Sequence, residues 1–301
     1  MNQQTLTREY SFEGRGLHTG KYAHLTIQPA PADFGIRFVR TDVGVEVPAV
    51  ASAVTRTDRS TTISSGEVNV VTIEHVMSAL TGLGVDNARI LIDNEEVPIL
   101  DGSAERYVRA IAPDGLQVQD AERVWLEFSE PFEVRDERSG SWVRVEPAEG
   151  MSFDATVDFG SRVLGVQQAH WSENSDYVGQ IAPCRTFVFM HELEFLAARG
   201  LVKGGDVDNA IVIVEHPVTP EQIDNMCILF GMPHLSVTES GYLSNIKLHF
   251  PDECGRHKLL DLIGDMRLMG GFPKARITAY KPGHTINSMA SREALTRIKN
   301  V

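Results

Sequence analysis

The chain has 301 residues, which is long for one compact core and makes two domains the default expectation. Its net charge of −13 argues against general nucleic-acid binding, and no apolar run approaches the ~18 residues of a membrane span. The N-terminus has no basic segment followed by an apolar one, so we expect no secretion signal. Three widely spaced cysteines suit reduced thiols in a cytoplasm, and none forms a CxxC pair.

Short runs of β-type residues recur along the whole chain. They predict strands at 24–28, 35–40, 88–92, 124–128, 142–145, 153–157, 210–214 and 276–280. Helical spacing of apolar residues predicts helices at 72–83, 104–111, 191–199, 220–230 and 257–269. Runs of strands separated by pairs of helices predict a layered α+β fold.

A polar, turn-rich segment at 112–122 interrupts this pattern and contains Pro113, Asp114 and Gly115. We place the domain boundary there, because domains are usually joined by exposed polar linkers. The prediction is an N-terminal domain of residues 1–121 and a C-terminal domain of residues 122–301.

The first helix of chemical interest lies in TIEHVMSALTGLG, where Thr72 is a candidate cap and Gly82 or Gly84 a candidate stop. Apolar residues at helical spacing define its buried face: Ile73, Val76, Met77 and Leu80. Glu74 and His75 fall outside that stripe, so the core does not need them.

The second such helix, RHKLLDLIGDMRLMGG, places His257, Asp261 and Asp265 four residues apart on a side without leucines. A histidine and a carboxylate at i and i+4 can hold one metal ion. Chance alone produces about half of one such match here, so spacing by itself favours a surface pair on a solvated helix. The stripe of three titratable groups beside Lys258 favours the metal site.

Two ligands from one helix leave a catalytic zinc one protein ligand short, since such sites commonly have three and an exchangeable water. A second helix that offers His75 beside Glu74 supplies the missing ligand and a base for that water. Fe(II) also accepts two histidines and a carboxylate, so the metal stays open at this point.

His284 lies in a glycine-containing turn after the last predicted strand, in AYKPGHTIN. A histidine in such a loop is usually incidental. It becomes relevant if Asp265 accepts a hydrogen bond from it, because a carboxylate raises the pKa of an imidazole. A charged histidine beside a metal can stabilise an oxyanion or protonate a leaving amine.

The chain resembles the UDP-3-O-acyl-N-acetylglucosamine deacetylases through seven motifs that occur in the family's order: GRGLHTG (14–20), TIEHVMSALTGLGVDNA (72–88), EVPILDGSA (96–104), CRTFVF (184–189), RGLVKGGDVDNAIV (199–212), RHKLLDLIGD (256–265) and AYKPGH (279–284). The resemblance implies zinc-dependent hydrolysis of the N-acetyl group of UDP-3-O-(3-hydroxyacyl)-N-acetylglucosamine to the free amine and acetate. In Gram-negative bacteria this is the committed step of lipid A biosynthesis.

The resemblance also implies roles for individual residues. One Zn²⁺ per chain would be held by His75, His257 and Asp261, with Glu74 as the general base. His284, oriented by Asp265, would be the charged partner or acid. Thr186 would hydrogen-bond the tetrahedral oxyanion. Lys258 would contact the sugar or phosphate region of the substrate and Phe187 would pack near the sugar, while the nucleotide end would be contacted by Phe159 and Lys281.

The implied fold has two domains, each a β-sheet layered on a pair of helices, with the active site between them. A β-α-β insert at about 187–214 would form an apolar passage for the acyl chain, lined by residues such as Phe189, Leu193, Phe195 and Leu196, with Val202 and Gly205 as further contacts. Pattern alone would assign these apolar residues to an ordinary core. One departure is Ser141, which stands where some members have a lysine, and Arg144 is a candidate replacement.

Three other functions stay open on the residues. A metallo-amidohydrolase acting on another N-acyl substrate would share the metal residues but not the acyl passage. A non-haem iron enzyme would use the same two histidines and one carboxylate, and a non-enzymatic binding module would show no chelator-sensitive turnover. We expect a cytoplasmic monomer, unless the chain is joined to an additional domain such as the acyl-carrier-protein dehydratase fused in some relatives.

Overall fold

The computed structural model describes residues 1–193 and 209–299. The first half of the chain contains, in order, β1 (Asn2–Leu6), β2 (Tyr10–Arg15), β3 (Tyr22–Pro29), β4 (Ile36–Arg40), β5 (Val45–Pro48), β6 (Val54–Arg56), β7 (Thr62–Ser65), β8 (Val68–Val71), α1 (Glu74–Leu83), β9 (Ala88–Ile92), α2 (Glu105–Ile111) and β10 (Leu116–Glu122).

The second half follows with β11 (Trp125–Leu126), β12 (Phe132–Asp136), β13 (Ser141–Pro147), β14 (Ser152–Asp158), β15 (Val166–Ser172), α3 (Tyr177–Gln180), β16 (Phe187–Phe189), β17 (Ile211–Ile213), α4 (Pro220–Phe230), α5 (Glu253–Met266), β18 (Phe272–Pro273), β19 (Ala275–Tyr280) and α6 (His284–Arg297). Short 3₁₀ turns occupy Ala51–Ala53, Ala112–Asp114 and Arg267–Met269.

Each half builds a five-stranded sheet with the same topology. The strand order is β2-β3-β9-β4-β5 in the first sheet and β12-β13-β19-β14-β15 in the second. The central strands, β9 and β19, each pair antiparallel with one neighbour and parallel with the other. Helices α1 and α5 occupy equivalent positions, because each one precedes the central strand of its own sheet. The predicted α+β class is confirmed.

Helices α1 and α5 pack directly against each other. Gly264 allows the close approach, since a Cβ at this position would lie 2.1 Å from the carbonyl oxygen of Glu74. The predicted apolar stripe of α1 is buried, as expected, but so are Glu74 and His75 at 3% and 6% exposure. The polar side of α1 is therefore covered by protein instead of facing solvent.

The start of α1 differs from the prediction. The helix begins at Glu74, and Thr72 does not cap it: its backbone has a positive φ of 61° and its hydroxyl donates to Glu96 Oε1 (3.0 Å). The helix ends at Gly84, whose left-handed conformation (φ 84°) suits a residue without a Cβ.

The segment predicted as a polar linker is partly a strand. Residues 116–122 form β10, which pairs antiparallel with β1. No residue of β10 is fully buried, and four of its seven residues are polar, because the pair is a narrow two-stranded ribbon. The division into domains of residues 1–121 and 122–301 stays a prediction.

Helix α6 was not predicted, and His284 is its first residue instead of lying in a turn. Its sequence, HTINSMASREALTR, is rich in small and polar side chains that hide the apolar spacing. Several of these are buried against α5 because small side chains allow close packing. Helix α5 likewise begins at Glu253, one turn before the predicted start.

The segment predicted as an insert begins and ends with β16 and β17, which pair in parallel. Most of the helix predicted at 191–199 lies outside the described residues, as do Phe195, Leu196, Val202 and Gly205. Among the helices that the structure describes, none is long and apolar enough to cross a membrane.

Candidate active site

His75 on α1 and His257 and Asp261 on α5 converge at the contact between the two helices. Their ligand atoms all lie within 4.8 Å of one another. Asp261 Oδ1 is 3.4 Å from His257 Nε2 and 3.7 Å from His75 Nε2. His257 and Asp261 are each 1% exposed, so a surface His–Asp pair on a solvated helix is ruled out.

The hydrogen bonds of His257 and Asp261 leave one possible ligand atom of each residue available. His257 Nδ1 lies 3.0 Å from the carbonyl oxygen of Cys184, so Nδ1–H donates there and Nε2 keeps its lone pair. Asp261 Oδ2 accepts from Lys258 Nζ (2.7 Å), whereas Asp261 Oδ1 is buried and has no hydrogen-bond partner among residues 1–193 and 209–299. An unpartnered buried carboxylate oxygen beside two imidazole nitrogens is the donor set of a metal site.

The protonation states of this trio suit metal binding. Burial and the neighbouring His257 lower the pKa of His75 to about 3, and burial lowers the pKa of His257. Burial opposes ionisation of Asp261, but His257 and Lys258 outweigh it and hold the pKa of this carboxyl well below its usual range. Two neutral imidazoles and an ionised carboxylate are the forms that bind metal ions.

Glu74 stands beside this trio at the first turn of α1. Its Oε2 accepts a hydrogen bond from the Thr61 amide (3.0 Å). Burial raises the pKa of Glu74 to about 7, with the carboxylates of Asp265 and Asp261 adding to the rise and His284 opposing it. A carboxylate with a pKa near neutrality is suited to accept and return a proton.

His284 lies on the other side of Glu74, with its Nε2 3.8 Å from Glu74 Oε1. Its Nδ1 is 3.0 Å from Asp265 Oδ2, which is the contact that the sequence argument required. Burial alone would lower the pKa of His284, but Asp265 and Glu74 outweigh burial and raise it to about 9. The ring is therefore an imidazolium at neutral pH.

Two further residues hold Asp265, the partner of His284, and the sequence did not predict them. The Thr61 hydroxyl donates to Asp265 Oδ1 (2.6 Å), and Asn287 Nδ2 donates to Asp265 Oδ2 (2.9 Å). Asn287 is three residues after His284 and would have been found had α6 been predicted. Thr61 gave no signal, because it reaches Asp265 across 204 positions of sequence.

A cavity of about 200 Å³ opens over these groups. Thr186, the predicted oxyanion partner, lines it together with three predicted substrate contacts: Phe187, Phe159 and Lys258. The Lys258 ammonium lies 5.4 Å from the Phe187 ring centre, and Phe159 packs edge-on against Phe187 at 5.5 Å between centres. His18, Arg59 and Glu192 also line the cavity and were not predicted.

Two predicted contacts lie elsewhere. Lys281 Nζ is 3.6 Å from Asp158 Oδ2 and does not line the cavity, and Leu193 is buried in an apolar cluster with Val212 and Met226. Arg144, the candidate for the missing lysine, pairs with Glu146 (3.1 Å) and also lies away from the cavity. Val202 and Gly205 fall outside the described residues. The roles of these residues stay predictions.

Comparison with known proteins identifies relatives over nearly the whole chain. The family model described as LpxC, UDP-3-O-acyl N-acetylglycosamine deacetylase, matches residues 3–225 and 233–296. A UDP-3-O-acyl-N-acetylglucosamine deacetylase from Anaeromyxobacter sp. is 40% identical over 296 residues, which cover 98% of this chain and 88% of that protein.

Two longer relatives are named bifunctional enzyme LpxC/FabZ. The one from Bacteroides thetaiotaomicron is 41% identical over 301 residues, and the one from Porphyromonas gingivalis is 42% identical over 299 residues. Each alignment covers 99% of this chain but only 65% of the relative, so the chain spans about two thirds of the length of these bifunctional enzymes. Motif order, family model and full-length identity agree, and the chain belongs to the LpxC family of UDP-3-O-acyl-N-acetylglucosamine deacetylases.

Proposed function

We propose that this protein removes the N-acetyl group of UDP-3-O-(3-hydroxyacyl)-N-acetylglucosamine by hydrolysis, releasing acetate and the free 2-amine, as the committed step of lipid A biosynthesis. The observation that carries the proposal is the buried His75–His257–Asp261 trio with Glu74 and His284 beside it in one cavity. The names of the Anaeromyxobacter relatives support the same substrate.

We infer that the trio holds one Zn²⁺. Zinc bonds of about 2.0–2.1 Å in a tetrahedral site separate neighbouring donors by about 3.3 Å, and Asp261 Oδ1 lies 3.4 Å and 3.7 Å from the two imidazole nitrogens. When bound, zinc would polarise the acetamide carbonyl and lower the pKa of a water molecule. Fe(II) accepts the same donors and is the alternative for which metal analysis is needed.

Glu74 is the proposed general base. The Thr61 amide holds its Oε2, which fixes the side chain and leaves Oε1 directed toward His284. In the reaction Glu74 accepts the proton of the water that attacks the acetamide carbon. A pKa of about 7 lets it release that proton again in the next step.

His284 and Thr186 are the proposed partners of the oxyanion. The Asp265 carboxylate accepts from Nδ1 of His284, so the second N–H of the imidazolium, on Nε2, is free to donate into the cavity. The Thr186 side chain lines the same cavity. Glu74 and His284 are the two groups that can pass a proton to the leaving amine as the C–N bond breaks.

The other residues that line the cavity suit a substrate that is an anionic sugar with a lipid chain. Arg59, His18 and Lys258 supply cationic or hydrogen-bonding groups around it, which suits a diphosphate within an acidic protein. One wall of the cavity is aromatic and is formed by Phe159 together with two residues of β16, Phe187 and Phe189. We place the acyl chain along the insert at 187–214, beyond that wall.

We also propose that the protein works as a monomer in the cytoplasm. Cys184, Cys227 and Cys254 are free thiols in the structure, which suits a reducing compartment.

The test is acetate release by the purified protein, followed by mass spectrometry of the sugar product. We expect one zinc per chain by elemental analysis, loss of turnover with a chelator, and recovery on adding zinc. The substrate without its 3-O-acyl chain should turn over at least about tenfold more slowly, because apolar burial along the passage is lost. Equal turnover of both substrates would favour an amidohydrolase with another substrate, and recovery with Fe(II) alone would favour the iron alternative.

A further inference from the structure

Glu96 is a buried carboxylate that the proposed reaction does not use. It is 1% exposed and lies in the EVPILDGSA motif. Its oxygens accept hydrogen bonds from the amides of His18 (2.9 Å) and Thr19 (2.7 Å) and from the hydroxyls of Thr19 (2.7 Å) and Thr72 (3.0 Å). In the part of the chain that the structure describes it forms no ion pair, so N–H and O–H donors alone offset its burial.

The backbone around Glu96 is itself fixed. The amide of Val71 donates to the carbonyl of Glu95 (2.8 Å), and the amide of Val97 donates to the carbonyl of Val71 (3.0 Å). These two hydrogen bonds fix the backbone on both sides of Glu96 against Val71, the last residue of β8, and α1 begins three residues after Val71. A side chain on such a rigid support can hold other segments in place.

The first segment that it holds is the loop at 16–20. Gly16 passes so close that a Cβ there would lie 2.4 Å from Glu96 Oε2. Leu17 and His18 of this loop line the cavity. His18 Nε2 is buried with no hydrogen-bond partner in the described residues, so the loop presents an unused polar atom beside the reacting groups.

The second segment is the entry to α1. Thr72 has φ 61°, a conformation that a β-branched residue rarely adopts. Its hydroxyl donates to Glu96, and Glu74 follows two residues later. In the described part of the chain no side chain caps α1. The hydrogen bond from Thr72 to Glu96 therefore adds to the one that the Thr61 amide donates to Glu74 in holding the entry to the first turn.

We propose that Glu96 is a positioning residue: its carboxylate ties the loop carrying Leu17 and His18 to the strained entry of α1 and so holds His18 and Glu74 in register. The consequence for turnover rests on the proposed deacetylase function. The consequence for the loop does not, because it follows from hydrogen bonds within the protein.

The test compares Glu96→Gln with Glu95→Gln. Glutamine has nearly the same shape, but its NH₂ would face N–H and O–H donors and cannot accept from them. Glu95 is the matched control, since the same change one residue earlier removes only its surface pair with Lys21 (2.7 Å). The first measurement is hydrogen exchange of the His18 and Thr19 amides in the intact protein.

In Glu96→Gln we expect both amides to exchange at least about tenfold faster than in the wild type, and in Glu95→Gln to exchange within about twofold of it. Wild-type exchange rates at His18 and Thr19 in a folded Glu96→Gln protein would overturn the proposal. If Glu96→Gln does not fold, Thr19→Val provides the same measurement at His18 with the carboxylate kept. We then expect about threefold faster exchange there, and a wild-type rate would count against the proposal.

The second measurement is the kinetics of acetate release at a temperature where all variants are folded by circular dichroism. We expect Glu96→Gln to lower kcat and raise KM, with kcat/KM at least about tenfold lower, because Glu74 and the cavity wall both shift. Glu95→Gln should stay within about twofold of the wild type. An unchanged kcat/KM in Glu96→Gln would refute the positioning role. Absence of turnover in the wild type would instead refute the proposed function. The role of Glu96 would then be tested by amide exchange alone.

Discussion

The pKa values of Glu74 and His284 are both raised above their ordinary values, but that of His284 stays the higher of the two. Burial raises the pKa of Glu74 to about 7, while Asp265 and Glu74 itself overcome burial and raise that of His284 to about 9. Between these two values the carboxylate is free to accept a proton while the imidazolium still holds one. Two groups kept in opposite protonation states are the arrangement that acid–base catalysis needs.

Replacing Glu74 tests the base directly. Glu74→Gln should lower kcat by about 10²–10⁴, because the proton of the attacking water has no acceptor. Metal content should stay at the wild-type level, since Glu74 is not one of the three converging donors. The measurements are acetate release and elemental analysis on the same preparation.

Glu67→Gln provides the control, since Glu67 is exposed in the turn between β7 and β8. It should match the wild type in both measurements. Near-full activity in Glu74→Gln would remove Glu74 from the mechanism.

The alkaline side of the pH–rate profile should report His284. The protonated ring is the active form, so kcat should hold up to about pH 9 and fall above it. Asp265→Asn should move this limb to lower pH, because the carboxylate that most raises the pKa of His284 is lost. A limb that stays in place in Asp265→Asn would show that another group causes it.

The same shift makes a prediction about stability. The folded pKa of about 9 lies above the value of about 6.5 for an unfolded histidine. A group whose pKa is raised by folding stabilises the folded state fully below the unfolded value, and the contribution is lost as pH rises through the folded value. The His284 contribution to the free energy of unfolding should therefore decline from about pH 6.5 to about pH 9.

Urea unfolding of wild type and His284→Asn across this range measures that contribution as the difference between the two proteins. The difference should shrink with rising pH. A difference that is constant or grows would contradict the shift.

At the scale of elements, the contact between α1 and α5 depends on Gly264. A Cβ at this position would lie 2.1 Å from the carbonyl oxygen of Glu74 and 3.1 Å from the amide of Ser78, which are backbone atoms that cannot move aside. Gly264→Ala should force the helices apart at the point where each carries catalytic groups. We expect a loss of about 1–3 kcal/mol in the free energy of unfolding together with a fall in kcat.

Gly255→Ala on the same helix is the comparison. There the added Cβ would meet the side chain of Gln167 at 2.8 Å, and a side chain can adjust more readily than backbone. The two variants are compared by thermal unfolding and by their rates of acetate release. If Gly264→Ala lowers stability and acetate release no more than Gly255→Ala does, the close approach of α1 and α5 is not what Gly264 provides.

The elements that the sequence predicted are those with a strong apolar pattern. The central strands and α4 were predicted nearly to the residue, because apolar runs and the helical spacing of apolar residues are local signals. The strands that were missed, such as β10 and β12, are exposed at edges or in ribbons and carry polar residues. Helix α6 was missed because its buried face is made of small side chains such as Ala290, Ser291 and Ala294.

For the site, the sequence located what helical phase and motif order can reveal. The i, i+4 spacing on α5 made His257 and Asp261 candidate ligands, and the resemblance to the deacetylase motifs completed the set with His75 on α1. Thr61 and Glu96 could not be found this way, since each acts on residues far along the chain and neither belongs to a periodic pattern. Spacing also gave no sign that Lys281 would lie outside the cavity.

For the whole molecule, the two sheets share one apolar core. A single cluster of buried residues includes Leu25 and Ile90 of the first half and Val143 and Ile277 of the second, joined through α1 and α5. We therefore expect one cooperative thermal transition, in which the calorimetric and van't Hoff enthalpies agree. Two resolved transitions in scanning calorimetry would show that the halves unfold independently.

The equivalent placement of α1 and α5 has a consequence for how such a site can exist at all. When two copies of one polypeptide meet through the same helix, each contact of residue i with residue j is repeated as a contact of j with i, so both sides of the interface carry the same side chains. Here the two helices sit in one covalent chain and carry different residues, Glu74 and His75 on one and His257, Asp261 and Asp265 on the other. Because both helices belong to one chain, their contact is not constrained by symmetry, and a base and an uneven set of metal ligands can share one helix interface.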